Sequence, residues 1–512
     1  MAITYSIVGV AMLNRRGCGI LLHPTSLPGP GGIGSLGVDA RHFIDLLVAM
    51  GMSYWQVLPL TPPACGNSPY SAFSAFGGNP LLIDMEQIRQ DGDNEASSGD
   101  HYPEDHVDFA AVAVKKMAWL SNAGSTFLRS KETPRTIEFR HFCETTDWLH
   151  DFALFMALKN RFHGTGWINW PADAGHITRE MHKQYSEELA HEIALQKYIQ
   201  WQVSKQWQEL RRYANERGIA IIGDIPIFVA YDSADVWSHR ELFLLDTMGN
   251  PTVVAGVPPD YFSATGQFWG NPHYDWDVME RNGYRWWIKR FASVFELFDI
   301  VRIDHFRGFE AAWHVAATAK TAIEGRWITG PKEKLFDALQ ADLGPLAVIA
   351  EDLGVITPEV NALRDRYNFP GMKILQFAFD SAGADTDLPH NHVKHGVVYT
   401  GTHDNDTTKG WYDALSGAER NEMNAYLGTS GEDGACDMMR AALMSVADTA
   451  IIPFQDILKL GSEARMNIPG TPFGNWEWRF SWDMLPQDIT TSVRSRIQRY
   501  GREPQGEFRY DS

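Results

Sequence analysis

Apolar, β-branched runs recur along this chain, and most break off into loops rich in polar residues, glycine or proline. Eight of them, at 19–22, 54–58, 219–229, 300–306, 346–353, 372–379, 397–401 and 450–454, read as strands. Their near-continuous apolar texture is that of a parallel sheet covered on both faces. Between several of them the period changes to that of a helix. Phe43, Leu46, Leu47 and Met50 share one helical face, and Gly51 stands where a helix end favours left-handed backbone. Ile199, Val203, Trp207, Leu210 and Ala214 form a second stripe, closed by Gly218. Eight strands with interleaved helices predict an α/β fold, a (β/α)8 barrel.

Pro226 lies inside the third run, where a central strand cannot spare an N–H. Either Pro226 marks the strand's C-terminal exit, which would place Asp224 at the rim, or this strand is misassigned. Two connections, at about 61–218 and 230–298, are too long for barrel loops and predict folded insertions after strands two and three. Both begin at C-terminal strand ends, so they should wall the rim there. The most loop-like piece is 91–100. Residues 1–15 read as an N-terminal extension, and 16–512 as a single catalytic barrel with its insertions.

With 512 residues, 44% hydrophobic, the chain can build a large core. A net charge of −19 with no basic run disfavours nucleic acid and anionic membrane as partners. No apolar run approaches the ~20 residues needed to span a bilayer. The four cysteines, Cys18, Cys65, Cys143 and Cys436, have neither metal nor redox spacing, which predicts a reducing compartment, the cytoplasm.

The candidate chemistry sits at the run ends. Asp224, Asp304, Glu351 and Asp404 fall where the third, fourth, fifth and seventh runs stop, and in a parallel barrel those ends share one rim. Arg302 and Asp304 are two apart on a strand and point to one face. The arginine would keep Asp304 ionised as a nucleophile, or the two form a structural ion pair. Glu351 ends a wholly apolar run and would hold its proton as a general acid, whereas Asp352 reads better as a helix cap. Asp404, preceded by His403, would bind sugar hydroxyls or cap a helix. His305 or His403 alone would pass for an ordinary structural histidine. Residues 255–272 combine Gly and Pro with Tyr261, Phe262, Gln267, Phe268 and Trp269, and read as an irregular loop: a lid over sugar, or a plug for the core.

Several segments carry a resemblance. They are Leu21-Leu22-His23-Pro24-Thr25-Ser26-Leu27-Pro28, Tyr54-Trp55-Gln56-Val57-Leu58-Pro59-Leu60, Ser68-Pro69-Tyr70-Ser71-Ala72-Phe73, Gly223-Asp224-Ile225-Pro226, Arg302-Ile303-Asp304-His305, Ala350-Glu351-Asp352-Leu353-Gly354, Thr402-His403-Asp404-Asn405 and Asn475-Trp476-Glu477-Trp478-Arg479. Together they resemble the 4-α-glucanotransferases of glycoside hydrolase family 77, the amylomaltases or disproportionating enzymes. The resemblance implies a barrel without a C-terminal β-sandwich. It implies Asp304 as nucleophile, Glu351 as acid/base and Asp404 as transition-state stabiliser. It further implies donor-sugar contacts at Arg302, His403, Asp224, Tyr70 and His305, a flexible loop carrying Gln267 and Trp269, a rim loop carrying Asn475, and a secondary glucan site at Tyr54.

The expected reaction is retaining transfer between α-1,4-glucans, with malto-oligosaccharides, amylose or similar glucans as donor and acceptor. It requires the two carboxyls about 5–5.5 Å apart and neither metal nor cofactor. An α-amylase-type hydrolase is the nearest alternative. A metal-dependent barrel enzyme and a non-catalytic glucan-binding protein are the others.

Overall fold

The computed structural model describes residues 9–64, 66–94, 101–259, 263–379 and 385–504. Cys65, part of the 91–100 piece, and Tyr261 and Phe262 of the expected lid therefore lie outside the described residues.

Eight parallel strands form one sheet: Gly17–Leu21, Tyr54–Gln56, Ala220–Pro226, Ile300–Asp304, Val348–Ala350, Gly371–Ile374, Gly396–Tyr399 and Thr449–Pro453. The first pairs with the eighth, so the ladder wraps round and its two ends are strands five and six. Two bonds seam those ends: Ala350 N donates to Pro370 O at 2.9 Å, and Met372 N to Asp352 Oδ1 at 2.7 Å. The result is a nearly closed (β/α)8 barrel. Asp352 is thus not the helix cap expected of it; the next helix, Pro358–Arg366, starts after Thr357. Its carboxylate instead joins strand six and is ion-paired with Arg364.

The helical stripes form as their periodicity predicts. Phe43, Leu46, Leu47 and Met50 are buried on helix Val38–Met50, which ends at Gly51 with φ 78°. Trp207, Leu210 and Ala214 are buried on Ala190–Asn215. Pro226 is the last residue of its strand, where its missing N–H interrupts no ladder beyond it.

The segment after strand two is helical, dominated by Phe109–Leu128, Leu149–Arg161 and Ala190–Asn215. The segment after strand three differs from expectation. The flanks of 255–272 are regular: Val253–Val257 and Gln267–Pro272 pair antiparallel. They extend through Ala311–Ala316 to Gly325–Thr329, a hairpin inserted after strand four that the run pattern did not reveal. Gly and Pro density suggested a loop, but Val253–Val257 has a partner across its other edge to satisfy its backbone.

The opposite end of the barrel is closed by the N-terminal extension. Residues 9–13 are helical, Met12 and Leu13 are buried, and Gly9 packs so tightly that an added Cβ would stand 2.1 Å from Asp299 O. Buried Arg502 ties this end together, donating to the carbonyls of Gly17, Leu443, Ala447 and Asp448 at 2.8–3.0 Å.

Candidate functional site

Strand register brings the acids together. In strands three and four Asp224 lies across from Arg302 and Pro226 across from Asp304. In strands four and five Ile303 lies across from Ala350, so Asp304 and Glu351 follow side by side on backbones about 4.8 Å apart. Arg302 bridges two carboxylates: Nη1 donates to Asp224 Oδ2 at 2.6 Å and Nη2 to Asp304 Oδ1 at 3.0 Å. Burial pulls the Arg302 pKa down, but Asp224 and Asp304 together hold it well above its ordinary value. Burial drives the Asp224 carboxyl upward, opposed by Arg302. Asp304 is the accessible member, with its side chain 32% exposed against none for Asp224.

Glu351 is buried, and its oxygens accept from two backbone N–H groups, His305 N at 2.6 Å and Leu353 N at 2.8 Å. Burial, then the neighbouring charge of Asp304, pushes its carboxyl up to about 7, against the pull of Arg302 and of those N–H groups. A carboxylate beside an arginine and a proton-holding carboxyl at the end of the adjacent strand are the pair of groups that nucleophilic attack and proton donation at one carbon require.

His305 adopts left-handed backbone, φ 53°, which turns its N–H towards Glu351. Its ring meets Trp269 edge-on at 4.9 Å, and Phe228 at 6.4 Å. Nε2 is buried without a hydrogen-bond partner among the described residues, and burial pushes the pKa down to about 3, so the ring is neutral. Trp269 itself is 37% exposed and its Nε1 donates to Gln267 Oε1 at 3.2 Å. The two lie at the start of the strand Gln267–Pro272.

On the other side, Tyr70 donates its hydroxyl to Asp224 Oδ2 at 2.8 Å and stacks on His403, with ring centroids 5.1 Å apart. Burial lowers the His403 pKa, and its Nε2 lies 3.5 Å from Asp404 Oδ1. Asp404 is half-exposed, accepts from Asn467 Nδ2 at 2.7 Å, and has its carbonyl bound by Arg465. It caps no helix; the helix Thr408–Ala414 is capped by Thr407.

Two expected residues stand elsewhere. Tyr54 is 1% exposed at the start of strand two, the opposite barrel end from the acids, and its hydroxyl donates to Met12 O at 2.9 Å. A residue so covered offers no glucan surface, which corrects the secondary-site expectation. Asn475 is buried and its amide is used within its own loop: Oδ1 accepts from Ile468 N, and Nδ2 donates to Thr471 O, both at 2.9 Å. These bonds shape the rim loop.

Four residues escaped the sequence reading. Trp476, with φ 68°, lies against Tyr70 at 5.9 Å and His403 at 5.8 Å. Asn467 orients Asp404, and Phe228 backs His305. His23 is buried near His403, which together with burial pushes its pKa down to about 3. Trp476 and His23 carried a signal, as ring side chains inside quoted segments. Among the described residues no group of three or more His, Cys, Asp or Glu is arranged to hold a metal ion.

The sequence and the fold have counterparts among known proteins. A 4-alpha-glucanotransferase of Thermus thermophilus is 50% identical over 493 residues, 94% of this chain and 97% of its own length. The chloroplastic/amyloplastic 4-alpha-glucanotransferase of Solanum tuberosum is 44% identical, covering 96% of this chain and 87% of its own. Among solved structures, an amylomaltase from Streptococcus agalactiae in complex with acarbose superposes with a TM-score of 0.92 at 37% identity, covering 96% of this chain and all of that one. A family model described as 4-alpha-glucanotransferase matches residues 22–485, spanning every strand from the second to the eighth and all the acids of the rim. The chain therefore belongs to glycoside hydrolase family 77, the 4-alpha-glucanotransferases.

Proposed function

We propose that this 4-alpha-glucanotransferase works by double displacement, with Asp304 as nucleophile and Glu351 as acid and then base. Asp304 attacks the anomeric carbon of an α-1,4-glucan while Glu351 protonates the departing glycosidic oxygen. Glu351 then takes the proton of an acceptor 4-hydroxyl, and the acceptor oxygen displaces Asp304 with net retention. The observation that carries this reading is the pairing on adjacent strands of a carboxylate held by Arg302 with a carboxyl raised to about 7.

Asp404, half-exposed and steadied by Asn467, is the group we assign to the hydroxyls of the reacting sugar. Tyr70, Asp224, Arg302, His305 and His403 line the donor side. Asp224 Oδ1 and His305 Nε2, both without a hydrogen-bond partner among the described residues, are suited to accept sugar hydroxyls. Gln267 and Trp269 cover the cleft through His305. This favours acceptor sugar over water, which separates a transferase from an amylase.

Malto-oligosaccharides and longer α-1,4-glucans are the substrates this site fits, in support of which a family relative binds acarbose. We read residues 16–512 as one catalytic unit, because one continuous core includes residues of both long insertions, such as Phe155 and Trp287, beside the barrel strands. A cytoplasmic setting fits the three described cysteines, all unpaired.

Maltotriose tests the reading. A ladder of longer and shorter glucans with a constant number of reducing ends is expected; a rise in reducing ends matching donor consumption would establish hydrolysis instead.

A further inference from the structure

Phe473 is the most exposed large apolar side chain among the described residues, at 88%. Isolated apolar side chains at a surface are ordinary. This one is set apart by where its loop is anchored. At one foot Asn467 binds Asp404, and at the other Trp476 packs against Tyr70 and His403. Between them the loop is tied to itself. Ile468 N donates to Asn475 Oδ1, Asn475 Nδ2 to Thr471 O, and Trp476 N to Met466 O. Gly470 and Gly474 take φ 80° and 76°, which shapes the turn. Pro472 O faces Gly66, in the segment that leads into Tyr70. A loop held this way keeps an apolar ring in water.

Phe473 stands three positions before Trp476, so the two backbones are at most roughly 11 Å apart. Through Trp476 the loop tip stands within a few sugar units of Tyr70 and His403, and through Asn467 its other foot reaches half-exposed Asp404.

We infer that Phe473 is a stacking platform for the glucan chain where it leaves the cleft, and that it favours longer chains. The apolar C–H face of a glucose unit suits an aromatic ring, and a phenyl group recognises that face without selecting hydroxyls. The inference rests on the site reading above and adds a residue to it.

The test compares kcat/KM for maltotriose and maltoheptaose in the wild type, Phe473→Ala and Phe473→Trp. Loss in Phe473→Ala of about three- to tenfold on maltoheptaose, with a clearly smaller loss on maltotriose, is expected. Phe473→Trp should restore the preference for the longer chain. Equal losses on both glucans, or none on either, overturn the inference. Wild-type turnover on both substrates separately tests the site reading, so the two failures are distinguishable. A thermal melt of each variant accompanies the assay, and a displaced Tm with equal losses counts against the platform.

Discussion

The carboxylate of Glu351 accepts a hydrogen bond from the backbone N–H of His305 at 2.6 Å, and His305 is the residue that follows Asp304. The proposed acid is therefore fastened to the chain segment that carries the proposed nucleophile. Positive φ at His305 makes the bond, and strand pairing between Ile303 and Ala350 sets its length. A shift of either strand would move both groups together.

The protonation state of Glu351 should govern the alkaline limb of the pH profile. Its carboxyl is raised to about 7, so kcat/KM should fall above that pH as the acid loses its proton. Glu351→Gln should lower turnover on maltotriose by about 10²–10⁴-fold.

The same shift has a stability consequence. A carboxyl whose folded pKa lies above its unfolded value binds more protons when folded. Its contribution is full below the unfolded value, near 4.5, and is lost as pH rises through about 7. Glu351→Gln removes this penalty and should raise stability at pH 8, by up to about 3 kcal/mol, while changing it little at pH 4. Denaturant melts at the two pH values measure the difference; an equal effect at both would contradict it.

Asp304→Asn should abolish the covalent step and also ease the proton off Glu351. The charge of Asp304 is the second cause of the raised Glu351 pKa, after burial. In the asparagine variant, infrared titration of the carboxyl region should show Glu351 ionising at lower pH than in the wild type.

Arg302 neutralises Asp224 and Asp304 inside the barrel. Arg302→Met strands a buried carboxylate and should cost about 3–5 kcal/mol in urea unfolding, together with nearly all activity. Adding Asp224→Asn should recover part of the stability without restoring turnover.

Arg502 acts at the other end of the barrel. Its guanidinium holds backbone carbonyls of Gly17, Leu443, Ala447 and Asp448. Arg502→Met removes these bonds, leaving Arg16 as the remaining donor to Leu443 and Ala447 and Gly17 N–H as that to Asp448, and should cost about 1–3 kcal/mol. At a temperature where the variant is folded, kcat on maltotriose should match the wild type.

The sequence by itself determined the eight strands, the helical stripes and the common face of Arg302 and Asp304, because each follows from local periodicity. It also singled out the acids, since a carboxylate ending an apolar run stands out whatever surrounds it. Tertiary structure decided what depends on neighbours distant in the chain. Tyr54 looked available until the register showed which end of its strand it occupies and the helix at 9–13 covered it. Asn475 read as part of a rim loop, and the fold set its amide to hold Ile468 and Thr471 within that loop. Gln267 and Trp269 lie on a strand because Val253–Val257, their partner, is itself supported by Ala311–Ala316, a hairpin the run pattern passed over. The proton on Glu351 has the same origin: an apolar run suggests a buried carboxyl, but only packing excludes the water and sets Asp304 beside it.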